Sequence, residues 1–469
     1  MKTITPRAAL LPFYLKLYDD LLPESRHKFD GYIQHIVSEF QSRGIEIESG
    51  SVCRLADEFE TEIARFEKAD LDCIVTLHLA YSPSLEAIDA FCNTSLPIVI
   101  LDSTMDGEFG IGVSPNRIMY NHGVHGVMDF ASLLRRRNRP FEIVAGHDSV
   151  PHTIDRASEY VRAAAAAKAF DNTRALRVGE TFKGMGDFTI PESVMAEKLG
   201  ITVDQIELDG LEDAINNVAA DDIEREVAAD REQFTCELES EAHARSVKVG
   251  LGLRRVLDGG GYGAFSVNFQ AFDSADPAAN TMPFLEISKS MARGIGYGGE
   301  GDVLTATLVG ALASTFGEVT FTEIFCADWS GNSLFLSHMG EINPNVAGDV
   351  PRIFSKPFFA GGSLDPAVLT CAVRPGPGVF VNLTPGPDDT FSLIVAPVEI
   401  LSEESSIDPE MKDVVRAWVR PQVEVSRFLE RYSRAGGTHH SALVLGDRSE
   451  AIASFGRIRG FEVVQIGNE

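Results

Sequence analysis

The chain has 469 residues, 44% of them hydrophobic and 23% charged, which suits two or three globular domains with substantial cores. Its 69 acidic residues against 41 basic ones give a formal charge of -28, a surface that repels phosphate backbones and argues against nucleic acid and anionic membranes as partners. Cys53, Cys73, Cys92, Cys236, Cys326 and Cys371 form no Cys-x-x-Cys pair, so neither a thiolate metal cage nor a disulfide framework is expected, and all six read as small core residues.

The opening MKTITPRAALLPFYLKLYDD is broken by Pro6, Pro12 and charges before any long apolar run, so no signal peptide or membrane span is predicted and the default location is cytoplasmic. Ala8 to Leu11 is a short apolar run. Phe29, Ile33, Ile36, Val37 and Phe40 then recur at helical spacing, Gly44 stands where a helix C-cap belongs, and Ile45 and Ile47 begin a strand. Cys73-Ile-Val-Thr-Leu and Pro97-Ile-Val-Ile-Leu are continuous apolar runs of the kind found in buried parallel strands. Further on come an alanine-rich helix around Ala163 to Ala167 and an acidic stretch from Leu208 to Glu241, which reads as solvated helices. Past residue 315 the pattern shifts to alternating β residues with glycine and proline, as in PGPGVFVNLTPGPDD. The expected architecture is α/β: two Rossmann-like open-sheet domains, residues 1–165 and 166–315, followed by a mainly β C-terminal domain, residues 316–469.

Four segments place a metal-ligating residue type beside glycine or a turn. In Gly296-Tyr-Gly-Gly-Glu-Gly-Asp302 the glycines suggest a dinucleotide loop, but that motif needs a preceding strand and LEISKSMARG reads as a helix. Asp302 fits the cap of a helix starting at Val303, which leaves Glu300 on a turn. A lone Glu in such a turn is more often a plain surface residue. Val319 to Phe325 and Leu334 to His338 read as two strands of a hairpin. With Ser330 and Gly331 at its centre, Glu323 lies directly opposite His338, Cβ atoms about 5 Å apart; with Gly331-Asn332 the two become diagonal neighbours. Taken alone, a carboxylate facing an imidazole is more often a hydrogen-bonded surface pair. In Gly436-Gly-Thr-His439-His440, a strand-like run follows the histidine pair, so one ring points inward and one outward.

Together these blocks resemble the L-arabinose isomerase family and, more distantly, the L-fucose isomerases. GYGGEGD, FTEIF, LSHMGEINP and GGTHH occur in the family's order, joined by GYGAFSVNF at 261–269, YSP at 81–83, HGVHG at 122–126 and FEIVAGH at 141–147. The resemblance implies a metal-dependent aldose–ketose isomerase with Glu300, Glu323, His338 and His440 as ligands. It also implies Glu300 and Glu323 as the proton-transferring pair, and Mn²⁺ as the ion with Co²⁺ or Mg²⁺ as substitutes. Tyr18, Tyr81, His122, His125, Phe269 and His439 fall on sugar-facing positions, and a trimer-based homo-oligomer or hexamer with active sites at subunit interfaces is implied.

Departures fall in the sugar-facing shell. Leu15-Lys-Leu-Tyr18 replaces a Gln-x-Leu-Tyr motif, His122 stands for a glutamine, Thr173 for a methionine, and Val303-Leu304 for Trp-Lys. Retained ligands with an altered shell imply the same chemistry on a different sugar, a pentose or a 6-deoxyhexose. Competing expectations are another metal-dependent sugar enzyme (epimerase, lyase or glycoside hydrolase) and a non-catalytic sugar-binding protein.

Overall fold

Ala8 to Leu11, Ile74 to Leu77 and Val99 to Leu101 are fully buried, as continuous apolar runs must be when helices cover both faces of a sheet. The computed structural model describes residues 4–272, 279–358, 363–403 and 407–467. In its first unit, Ile4–Lys168 with Arg457–Gly460, strands β1 (Arg7–Phe13), β2 (Glu46–Ser49), β3 (Cys73–His78), β4 (Ile98–Asp102) and β5 (Glu142–Ala145) form a parallel sheet in the order β2-β1-β3-β4-β5. The helix Asp30–Ser42 buries Tyr32, Ile33, Ile36, Val37 and Phe40, and Gly44 follows it at φ +73°. Because β1 connects to β2 on one side and β3 continues on the other, the C-terminal ends of β1 and β3 flank a topological switch point.

The second unit, Ala169–Gly456 with Phe461–Glu469, begins as another open parallel sheet. Its strands β6 (Arg174–Val178), β7 (Thr202–Ile206), β9 (Ala264–Val267) and β10 (Gly296–Gly299) run β10-β9-β6-β7, while the short β8 (Thr235–Glu237) lies apart. The turn expected at Glu300 is present at Glu300–Gly301, but the glycines before it, Gly296–Gly299, form the strand β10. The reason is the helix Val303–Phe316, buried from Val303 to Thr315, which lies almost on the strand's backbone. A Cβ on Gly296 would stand 2.0 Å from the Ala306 carbonyl oxygen, and one on Gly298 would stand 2.3 Å from that of Asp302.

Beyond Gly317 the same unit becomes mainly β. Strands β11 (Val319–Asp328), β12 (Ser333–Ser337), β13 (Arg352–Ser355), β14 (Ala367–Thr370), β15 (Gly376–Pro385), β16 (Phe391–Ile400), β17 (Ala417–Pro421), β18 (His440–Leu445) and β19 (Glu462–Gln465) follow in turn. The order β15-β18-β11-β12-β17-β16 closes on itself through antiparallel β15–β16 pairing, giving a barrel-like sheet with β19 added parallel to β16. β14, β13 and β8 make a separate small sheet. The α/β and β classes thus follow the sequence pattern.

Two local expectations fail. Cys326 is exposed, because the outer half of the β11–β12 hairpin stands clear of the core; Cys92 and Cys236 are partly exposed. The acidic stretch is not wholly solvated either. In the helix Ala220–Gln233, Asp230 is buried between Lys289 and His243, and Glu226 accepts hydrogen bonds from Arg254 at 2.6 and 3.1 Å and from Lys289 at 2.8 Å. Packing against the helices Ser240–Gly260 and Phe284–Ala292 converts part of the charge run into ion pairs.

Burial pushes the Glu226 carboxyl up, but Arg254 and Lys289 outweigh it and bring the pKa from 4.5 down to about 2. A carboxylate depressed by folding stabilises the protein above its unfolded pKa and loses that contribution as pH falls through its folded one. Glu226→Gln is therefore expected to lower stability by about 2–3 kcal/mol at pH 7 and by roughly half as much at pH 3. Denaturant titrations at both pH values check this, and equal losses would assign the effect to packing.

Candidate metal centre

Backbone conformation presents Glu300. The chain leaves β10 with Glu300 at φ +61° and Gly301 at φ +94°, turning at once into the helix Val303–Phe316. A side chain in the left-handed region costs about 1 kcal/mol. The turn is held by the Gly301 N–H donating to Ser266 Oγ at 2.8 Å and the Glu300 N–H donating to the Val267 carbonyl at 3.1 Å.

Glu323 and His338 come from the hairpin. The register centred on Ser330-Gly331 holds from Cys326 to Asp328, around a loop of Trp329 to Asn332. A bulge at Phe325 then shifts it, so that Glu323 pairs with Ser337 rather than with His338. The side chains still meet, because β12 ends at Ser337 and His338 swings back to place Nε2 2.9 Å from Glu323 Oε1. On its other edge Glu323 pairs directly with His440, the first residue of β18. His440 Nε2 stands 3.2 Å from Glu323 Oε1 and 3.7 Å from Glu300 Oε2.

Two buried carboxylates behind the histidines settle which nitrogen faces inward. His338 Nδ1 meets Glu341 Oε1 at 2.6 Å, and His440 Nδ1 meets Asp302 Oδ2 at 3.0 Å, which turns both Nε2 atoms toward Glu323. Asp302 serves twice, since its Oδ1 also accepts from the Thr305 N–H at 2.9 Å and caps the helix as expected. Rings pack around the group: Phe321 lies edge-on to His338 and His440, and Phe188 stacks on His440 at 4.9 Å.

The donor set fits a cation. Glu300 Oε2 and His440 Nε2 are buried without a hydrogen-bond partner among the described residues; Glu323 Oε1 is near His440 Nε2 in distance but not aligned with it. Glu323, His338 and His440 bring ligand atoms within 4.8 Å of one another, and Glu300, His439 and His440 do the same, sharing His440. Burial lowers the His338 pKa, but Glu341 and Glu323 overcome it and push it up to about 10. Burial likewise disfavours charge on His440, which Asp302 and Glu323 reverse. Against its own burial, the Glu323 carboxyl is held far below the usual range by the two imidazoles. The carboxylates that favour positive charge on these rings would equally favour a divalent ion between them.

The remaining expected site residues fall into two groups. In the second unit, Phe269 follows β9 and packs on Phe182 at 5.4 Å, and half-exposed His439 donates through Nδ1 and its backbone N–H to Asp187. In the first unit, Tyr18, Tyr81, His122 and His125 follow the C-terminal ends of β1, β3 and β4. Tyr18 OH lies 3.1 Å from His122 Nε2, Tyr81 OH donates to Asp129 at 3.4 Å, and the His122 and His125 rings are 6.1 Å apart. Thr173 has a structural task, donating its hydroxyl to the Ala169 carbonyl at 2.8 Å.

Sequence reasoning missed Glu341 and the second role of Asp302. Glu341 was within reach as a carboxylate three residues past His338, whereas Asp302 is 138 residues from its imidazole. Glu341→Gln and Asp302→Asn are each expected to weaken Mn²⁺ binding about 10- to 100-fold. Calorimetric titration measures this directly, and unchanged affinity in both would leave these carboxylates a role in folding alone.

Comparison with known proteins gives a consistent result. The L-arabinose isomerase central domain matches residues 176–316, and the L-arabinose isomerase C-terminal domain matches residues 318–462. The L-arabinose isomerase of Mycolicibacterium smegmatis is 27% identical over 412 residues, covering 84% of this chain and 80% of its own. L-arabinose isomerase 1 of Bacillus licheniformis is 28% identical over 423 residues, 86% of this chain and 83% of its own. That of Levilactobacillus brevis is 28% identical over 352 residues, 72% and 73% respectively.

Proposed function

The chain belongs to the L-arabinose isomerase family, and on that premise we propose that it interconverts an aldose and its ketose by moving a proton between C1 and C2 of the open-chain sugar. The observation that carries the reading is the convergence of Glu300, Glu323, His338 and His440, with an orphaned carboxylate oxygen facing an orphaned imidazole nitrogen. A divalent cation, Mn²⁺ by preference, held by these four residues supplies Lewis-acid polarisation of adjacent sugar oxygens, worth several kcal/mol at the transition state. The chain's own residues do the rest. Glu300 and Glu323 divide the proton work, one taking the carbon-bound proton and returning it to the neighbouring carbon, the other serving the hydroxyl. Glu341 and Asp302 hold the two imidazoles in place, and Phe188 and Phe321 exclude water and raise the strength of every charge interaction.

The substrate we propose is a pentose or 6-deoxyhexose other than the one the relatives' name specifies, because the altered positions around Tyr18 and His122 are sugar-facing by resemblance. A trimer-based homo-oligomer in a cytoplasmic setting belongs to the same proposal. Leu17, Leu21, Leu85, Ile111 and Met128, apolar yet exposed on the first unit, support an interface there. Among the described residues no helix is long and apolar enough to cross a membrane.

Proton NMR in D₂O with a panel of aldoses and ketoses, after Mn²⁺ loading and removal of excess ion, tests the reaction. Deuterium at C2 of an aldose or C1 of a ketose, with the partner sugar growing in, is the expected result. Silence across the panel with metal bound would overturn the isomerase reading, and exchange without interconversion would point to an epimerase.

A further inference from the structure

We propose that Asp187 is a positioning residue for His439, committing the ring's Nδ1–H so that Nε2 is the atom offered to a sugar hydroxyl beside Glu300. This inference rests on the isomerase reading of the site. One oxygen, Asp187 Oδ2, accepts twice from the same residue: from the His439 backbone N–H at 3.0 Å and from its ring Nδ1 at 2.6 Å. The backbone contact fixes where the carboxylate stands, and the ring contact fixes the rotamer and the nitrogen that keeps its proton. The other nitrogen, Nε2, faces Glu300 Oε2 at 3.7 Å. That is too wide for a hydrogen bond between them, yet a hydroxyl oxygen set beside the pair, about 2 Å off the line joining them, reaches both at about 2.8 Å. His439 is also far more exposed than His440 beside it, 37% against 0% for the side chain, as a substrate contact is and a buried ligand is not.

Asp187 is anchored to this site and is not a passing surface acid. Its loop follows β6 and is tied to the Glu300 turn, with the Phe182 N–H donating to the Glu300 carbonyl at 2.9 Å and Asn268 Nδ2 donating to the Glu180 carbonyl at 2.7 Å. A Cβ on Gly301 would come within 2.5 Å of Thr181 Cα, so the loop and the turn are in contact. The next residue, Phe188, stacks on His440 with 20° between the rings and lies 5.5 Å from His439. One short loop thereby grips both histidines, one by charge and one by stacking.

The test uses the Mn²⁺-loaded full chain and the sugar it converts. Asp187→Ala is expected to raise KM about tenfold with kcat within about threefold, since a hydroxyl contact made equally in ground and transition states is lost. Asp187→Asn, whose amide oxygen accepts from both donors, is expected to restore KM to within about threefold of the unaltered protein. In a His439→Ala background, Asp187→Ala is expected to add nothing, and Mn²⁺ affinity by calorimetry is expected to stay within about twofold throughout. A crystal structure of Asp187→Ala supplies a readout independent of turnover, with the His439 ring rotated away from Glu300. Unchanged KM, additive effects in the double variant, or an unmoved ring would overturn the proposal. If the unaltered protein converts no sugar, the isomerase reading fails on its own. The arms then become the ring position and calorimetric binding of a panel of pentitols: a rotated ring with weakened pentitol binding keeps the role of Asp187, and any other result ends it.

Discussion

Glu323→Gln is expected to reduce isomerisation at least about a thousandfold, the loss that its proposed roles as acid–base group and metal ligand imply. Glu323 Oε1 lies 2.9 Å from His338 Nε2 and 3.2 Å from His440 Nε2, so a single oxygen faces both imidazoles. An amide in its place removes the negative charge to which both rings are turned and leaves only a neutral oxygen, a weaker partner for a cation. Metal content and turnover are therefore expected to fall together. Glu300→Gln is expected to lose turnover to a similar degree but to keep more of its metal, because Glu300 Oε2 has no hydrogen-bond partner to lose and stands farther from His440. Steady-state kinetics with metal analysis of the purified variants decides this. Unaltered activity in either variant would remove that glutamate from the mechanism.

Metal removal is the second large effect. Treatment with a chelator is expected to abolish turnover and to lower the thermal midpoint by a few degrees, and Mn²⁺ is expected to restore both. A ligand present at 100 times its dissociation constant adds about 2.7 kcal/mol to the folded state. The buried carboxylates make the stability change physical: Glu323, Glu341 and Asp302 gather around His338 and His440, and a cation bound there would offset their charge. Differential scanning measurements with and without chelator test it. A midpoint and a turnover that both ignore chelation would exclude a resident cation.

How much could be read in advance differs from residue to residue. The cap at Asp302, the C-cap at Gly44 and the buried runs in β1, β3 and β4 depend on residues a few positions apart, and the sequence carries them. The hairpin between Glu323 and His338 was legible in its turn but not in its bulge, because a shift at Phe325 answers to the barrel's curvature rather than to local pattern. Gly296–Gly299 misled: glycine runs signal turns from sequence alone, and only the helix pressed against their backbone makes this one a strand. The acidic run misled in the same way, since the partners that bury Asp230 and half-bury Glu226 lie on other helices.

By itself the sequence determined the fold class, the family and the residue types able to hold a cation, because these follow from local periodicity and from short blocks of fixed spacing. The tertiary structure alone decided that Glu323 pairs across strands with His440, that Nε2 rather than Nδ1 of each imidazole faces inward, and that Asp187 grips a histidine 252 residues away. Those are matters of direction and distance between groups far apart in the chain. They exist only after sheet closure has paid the entropy of bringing such segments together.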